Sequence, residues 1–203
     1  MKRTLTRDDI IPLSDFLKIR DQKRLEITAL KRNRRLSVGP DIVFYFENYQ
    51  TIWWQIHEML RIEQGGDSQI DDELNAYASL VPKVHPDQSQ DLVATMMIEI
   101  DDMVRRRRVL AQLGGIEETV SLRFGDTSIN ATPETEVDRT TADGKTSAVH
   151  FLHFILRPDE IRSFLTPNVD VILAIDHPNY SHKSLLPEGT RQSLGCDFDL
   201  HHQ

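Results

Sequence analysis

The chain has 203 residues and a hydrophobic share of 39%, enough to bury a core without disulfides or a structural metal. Its one cysteine, Cys196, excludes an internal disulfide and a multi-cysteine metal site and suits a reducing cytoplasm. No apolar segment opens the chain and no 18-residue apolar run crosses it, so neither a signal peptide nor a membrane span is expected.

Net charge is −8 but unevenly spread: residues 1–35 carry eleven Lys/Arg against five Asp/Glu, and the rest thirteen against twenty-seven. A basic segment of this kind can meet nucleic acid or an acidic partner. The plainer reading lays it on the protein's own acidic body, and a chain this acidic would repel a phosphate backbone. Within it, TRDD at 6–9 has the form of a capping box. Ser14 is expected to cap a helix running to about Asn33, with Phe16, Ile19, Ile27 and Leu30 on one stripe. KRNRR at 31–35 then places positive charge at the helix C-terminus, where the macrodipole favours it.

Val38-Gly39-Pro40 reads as a turn and IVFYF at 42–46 as a strand. Asn48 or Thr51 starts a helix through TIWWQIHEMLRIEQ, with Ile52, Ile56, Met59 and Leu60 inward, closed by Gly65-Gly66. Asp67-Ser68 opens another, stopped by Pro82. LVATMMIEI at 92–100 is a strand, and Asp101 caps a short helix through the arginines at 105–108. Residues 120–124 and 128–131 suggest a hairpin, and 132–144 a polar loop long enough to act as a lid.

DGKTSAVHFLHFIL at 143–156 is a Gly-bearing turn running into a strand. On that strand Val149, Phe151, His153 and Ile155 share one face and His150, Leu152, Phe154 and Leu156 the other. A short helix begins at Pro158, a strand spans 169–175, and AIDHPNY at 174–180 turns into a further short strand and a helix begun at Pro187. Helices come early and strands late, without regular βαβ alternation. The expected fold is α+β, a mostly antiparallel sheet with N-terminal helices packed on it. Residues 1–203 are read as one domain, with 1–35 a basic helical segment and 36–203 the main body.

The stretches FENYQTIWWQIHEMLRIE, DGKTSAVHFL and IDHPNY, with the opening LTRDDI, the RRLSVGP turn and MIEIDD, resemble a bacterial family of uncharacterised proteins, domain-of-unknown-function family 3501. The resemblance spans nearly the whole chain. It carries no activity; it implies an accessory role in iron-dependent redox or peroxide metabolism, beside rubrerythrin-like diiron proteins or iron–sulfur oxidoreductases as partners. His57 stands where the family more usually has Gln and His153 where it has Arg, which turns attention to His150 and His177.

Two functional hypotheses follow. One is a partner-binding protein that docks through Lys31, Arg32, Arg34, Arg35 and Trp54, although the arginines also read as a solvated helix end and one adjacent tryptophan as core. The other is a metal-dependent enzyme or sensor holding iron or another first-row transition metal between His150, His177 and a carboxylate from Glu47, Glu58 or Asp176. Against it stand the ordinary roles of these residues: a core histidine at 150, a turn-capping Asp176, and an ion pair between Glu58 and Arg61. The chain lacks paired Glu-x-x-His helices of the diiron kind. Lys145 and Arg139 suit a small anion, but Gly144-Lys145-Thr146 lacks the spacing of a nucleotide-binding loop.

Overall fold

The computed structural model describes residues 2–134 and 144–199. A short turn at Arg7–Asp9, closed by the expected Thr6/Asp9 capping box, precedes α1 (Leu13–Arg32), β1 (Arg35–Val38), β2 (Ile42–Glu47), α2 (Tyr49–Glu63) and α3 (Asp67–Tyr77). Then come β3 (Gln90–Ile98), α4 (Met103–Leu110), β4 (Val120–Phe124), β5 (Thr127–Asn130) and β6 (Thr132–Pro133). The chain continues through β7 (Val149–Leu156), α5 (Pro158–Leu165), β8 (Val171–His177), β9 (Tyr180–Leu185) and α6 (Glu188–Gly195).

The fold is α+β, as expected, but with two antiparallel sheets instead of one: β1-β2-β3-β7-β6 and β5-β4-β8-β9. Phe44, Met96 and Phe154 on the inner face of the first sheet join Leu122, Phe124 and Leu173 of the second in one apolar core. Side-chain alternation marks two faces on a strand, yet it does not say which strands share a sheet. The outer face of the first sheet is covered by helices. Ile52 and Ile56 of α2 pack with Val93 of β3, and α1 lies on α2 through Phe16, Ile27 and Trp54.

Several boundaries differ from expectation. Helix α1 takes Pro12 as its N-cap, which places Ser14 inside the first turn. It ends at Arg32, and the chain then enters β1, so the run 31–35 spans a helix end and a strand start. Arg34 sets that change. Its backbone carbonyl accepts from Phe46 N–H (2.8 Å), and its buried guanidinium donates to the carbonyls of Phe46 (2.9 Å) and Glu47 (3.0 Å) and pairs with Asp197.

At Gly39 the backbone has φ +73°, and a Cβ would stand 2.5 Å from the Tyr180 hydroxyl. That hydroxyl donates to Val38 O (2.8 Å) and accepts from Asp41 N–H (3.1 Å), tying the β1–β2 turn to β9 of the other sheet. Part of the basic N-terminal segment rests on the acidic body: Arg3 pairs with Asp199, Arg7 with Asp67 and Asp71, and Arg20 with Glu58. No helix among the described residues is long and apolar enough to cross a membrane.

Candidate functional site

Strand alternation puts Phe44 and Phe46 of β2 into the core and leaves Tyr45 and Glu47 on the outer face of the first sheet. Register aligns Tyr45, Thr95 and Phe151 across β2, β3 and β7, and places Glu47, Val93 and His153 in the next row. Immediately after Glu47, Asn48 caps α2 and sends the chain back over this face. Its side chain accepts from Thr51 N–H (3.1 Å), while its own N–H donates to Thr51 Oγ1 (2.9 Å). The sheet face, the first turns of α2, the end of α1 and Tyr77 enclose a cleft of about 310 Å³. Ile52, Leu80, Met97, Val149 and Phe151 make its apolar walls, and Lys31, Gln55 and Glu47 supply charge and hydrogen-bonding capacity.

Two neutral hydroxyls orient the Glu47 carboxylate: Thr51 Oγ1 donates to Oε2 (2.5 Å) and Thr95 Oγ1 to Oε1 (2.9 Å). Neither Glu47 nor Lys31 forms an ion pair among the described residues, although both line the same cleft. Three other shielded carboxylates are neutralised, Asp197 by Arg34, Asp41 by Arg105 and Glu58 by Arg20.

A second polar group lies farther along the same face. The buried Asp91 carboxylate sits between two imidazoles, with His85 Nε2 at 2.6 Å and His153 Nδ1 at 3.4 Å, and His153 Nε2 reaches Glu134 at 3.0 Å. Burial alone would lower the His153 pKa, but its hydrogen bond to Asp91 and the charges of Asp91 and Glu134 outweigh that and raise it. Burial likewise works against the Asp91 carboxylate, and hydrogen bonds from His153 and His85 together hold its pKa low.

The structure does not bring the five expected metal residues together. Glu47 lies on the outer face of the first sheet. His150 points into the core, its Nε2 near Thr146 Oγ1 (2.9 Å) and Ser147 O (3.0 Å) and its Nδ1 3.6 Å from Glu117. The pairing of Glu47 with His150 is therefore blocked by the sheet itself. His153, set aside for departing from the family pattern, is the strand histidine on Glu47's face. Glu58 is held on α2 by a two-pronged contact from Arg20 (2.7 and 3.0 Å) and by Arg61; these bonds, the one to Arg20 foremost, lower its pKa. His177 accepts from Asn179 N–H (3.2 Å) and sits 3.3 Å from Gly114 O, whereas the adjacent Asp176 is exposed and paired with Arg123. Among the described residues no group of three or more His, Cys, Asp or Glu is placed to hold one ion.

Two docking residues need correction. Arg34 is buried against Asp197, and Trp54 packs on Phe16 with ring centroids 5.6 Å apart, so neither is offered to a partner. Trp53 is no free anchor either: its indole N–H donates to Asp9 O (2.8 Å). Arg35 pairs with Glu99 over the Tyr45 ring, and Lys31 and Arg32 remain without ion pairs among the described residues. Arg139 lies outside the described residues, as does most of the expected lid, so the anion site with Lys145 has no geometry to report. Sequence reasoning passed over Thr51, Thr95, His85 and Asp91. The parity of Thr95 with the outward positions of an otherwise apolar strand is the signal that could have found it.

A family model described as "Protein of unknown function (DUF3501)" matches residues 4–198. A comparison with curated proteins gave no match. Among solved structures, a protein of unknown function from Burkholderia pseudomallei is similar, with 36% sequence identity and a TM-score of 0.85 over 97% of this chain and 100% of that one.

Proposed function

We propose that this chain, which belongs to the DUF3501 family, is an accessory protein that works by binding, with a small ligand in the sheet cleft and a partner protein on α1. The observation that supports the reading is Glu47, a carboxylate oriented by Thr51 and Thr95 yet without a cation among the described residues, at the wall of an apolar cleft. An oriented charge beside apolar walls is an arrangement that suits a ligand site. The outward face of α1 adds a second contact surface. Leu17 and Leu25 are 53% and 65% exposed there, beside Arg24 and Arg32, which suits an acidic partner with apolar contacts. A cytoplasmic role serving a rubrerythrin-like or iron–sulfur oxidoreductase system, which the family resemblance implies, is compatible with such a surface.

The alternative is a metal-dependent enzyme or sensor. The chain of two imidazoles and two carboxylates joined pairwise through Asp91 and His153 comes nearest to a ligand set, although no three of its members are placed to hold one ion. Native mass spectrometry and elemental analysis of the untagged protein separate the two. The binding reading expects an organic adduct that Glu47→Gln loses while the fold persists. Near-stoichiometric iron, lost in His153→Gln and retained in Glu47→Gln, would transfer the function to the Asp91 network.

A further inference from the structure

We infer that the cleft ligand is a small zwitterion, a free α-amino acid with an apolar or aromatic side chain; this rests on the cleft being the working site. Lys31 and Glu47 carry opposite charges into one cleft of about 310 Å³ without pairing with each other. Two opposite charges on the wall of an apolar cleft lose hydration, and a ligand offering both complementary charges restores what each has lost. The polarity follows from the donors. Thr51 and Thr95 already donate to Glu47, leaving its remaining lone pairs for an ammonium group, which has only donors. Lys31 and the Gln55 amide supply donors for a carboxylate.

Between and beyond these groups, Ile52, Leu80 and Met97 offer apolar wall for a side chain. The volume lies at the low end of the roughly 300–1,000 Å³ span of small-molecule sites, which favours one small metabolite over a nucleotide or peptide. A simple amine would leave Lys31 unmatched. A simple acid or a phosphate ester would meet the Glu47 carboxylate.

Isothermal titration calorimetry of the whole protein tests this with L-leucine, L-phenylalanine and L-tyrosine, against phenethylamine, 3-phenylpropionate and N-acetyl-phenylalanine. At least one free amino acid should bind, and its matched amine or acid should bind about tenfold or more weakly, as expected for losing a charge-assisted hydrogen bond. Lys31→Met should reduce binding of the amino acid towards that of the amine and leave the amine unchanged. Glu47→Gln should remove both, with circular dichroism confirming the fold of each variant. If the amine binds as tightly as the amino acid and ignores Lys31→Met, the zwitterion is wrong while the cleft reading stands. If no probe binds and the NMR signals of Tyr77 and Phe151 do not move, both fail.

Discussion

Arg34 and Glu47 put shielded charge to opposite uses. Arg34 spends its donors on the carbonyls of Phe46 and Glu47 and on Asp197, with 2% and 5% of the two side chains exposed. Removing one member of such a pair strands the other in the interior. Arg34→Met should therefore cost about 3–5 kcal/mol in denaturant unfolding, and Arg34→Met with Asp197→Leu should recover much of the loss. A cost below about 1 kcal/mol, the range of exposed pairs, would show that solvent reaches the pair. Glu47, by contrast, is oriented by hydroxyls that bring no charge, which leaves its own available to a ligand. Sequence could nominate both residues. It could not separate them, since what distinguishes them is the presence or absence of a partner from a distant segment.

At the scale of elements, α1 has two dissimilar faces. One buries Phe16 and Ile27 against α2, and the other exposes Leu17 and Leu25 beside Arg24 and Arg32. Leu17→Asp with Leu25→Asp should leave stability within about 0.5 kcal/mol, as surface changes do, while abolishing co-purification of the proposed partner. Undiminished recovery of an iron–sulfur or rubrerythrin-like partner by this variant would remove α1 from the interface. Strand β7 was legible in the same periodic terms: its two faces alternate as the residue pattern requires. Which face meets the second sheet and which the helices was not legible. Both faces are mostly apolar, and only the neighbouring layers decide that His150 is enclosed and His153 borders the Asp91 network.

Across the whole molecule, two histidines pull the pH dependence of stability in opposite directions. His57 Nδ1–H donates to Trp53 O (2.8 Å) and Nε2 accepts from Ile11 N–H (3.2 Å), and burial, outweighing the bond to Trp53, lowers its pKa. Its contribution is full above the ordinary value of about 6.5 and is lost as pH falls below that towards its folded pKa. The raised pKa of His153 acts the other way: its contribution is full below about 6.5 and is lost as pH rises through its folded value. The two act on opposite sides of about pH 6.5, so together they should give stability a maximum near that value. His57→Gln should leave a protein that weakens as pH rises, and His153→Gln one that weakens as pH falls, read from denaturation midpoints. Variants that both follow the parent profile would show that other groups control it.

By itself the sequence determined the α+β class, the positions of most elements and the family, because these depend on residues near one another in the chain or on patterns repeated along it. Tertiary structure alone decided that the strands divide into two sheets, that Arg34 and Trp54 turn inward, and that Lys31 and Glu47 share a cleft. The physical reason is that burial, pairing and charge balance belong to the distances between segments. Those distances are set by how the layers pack, and no local pattern records them.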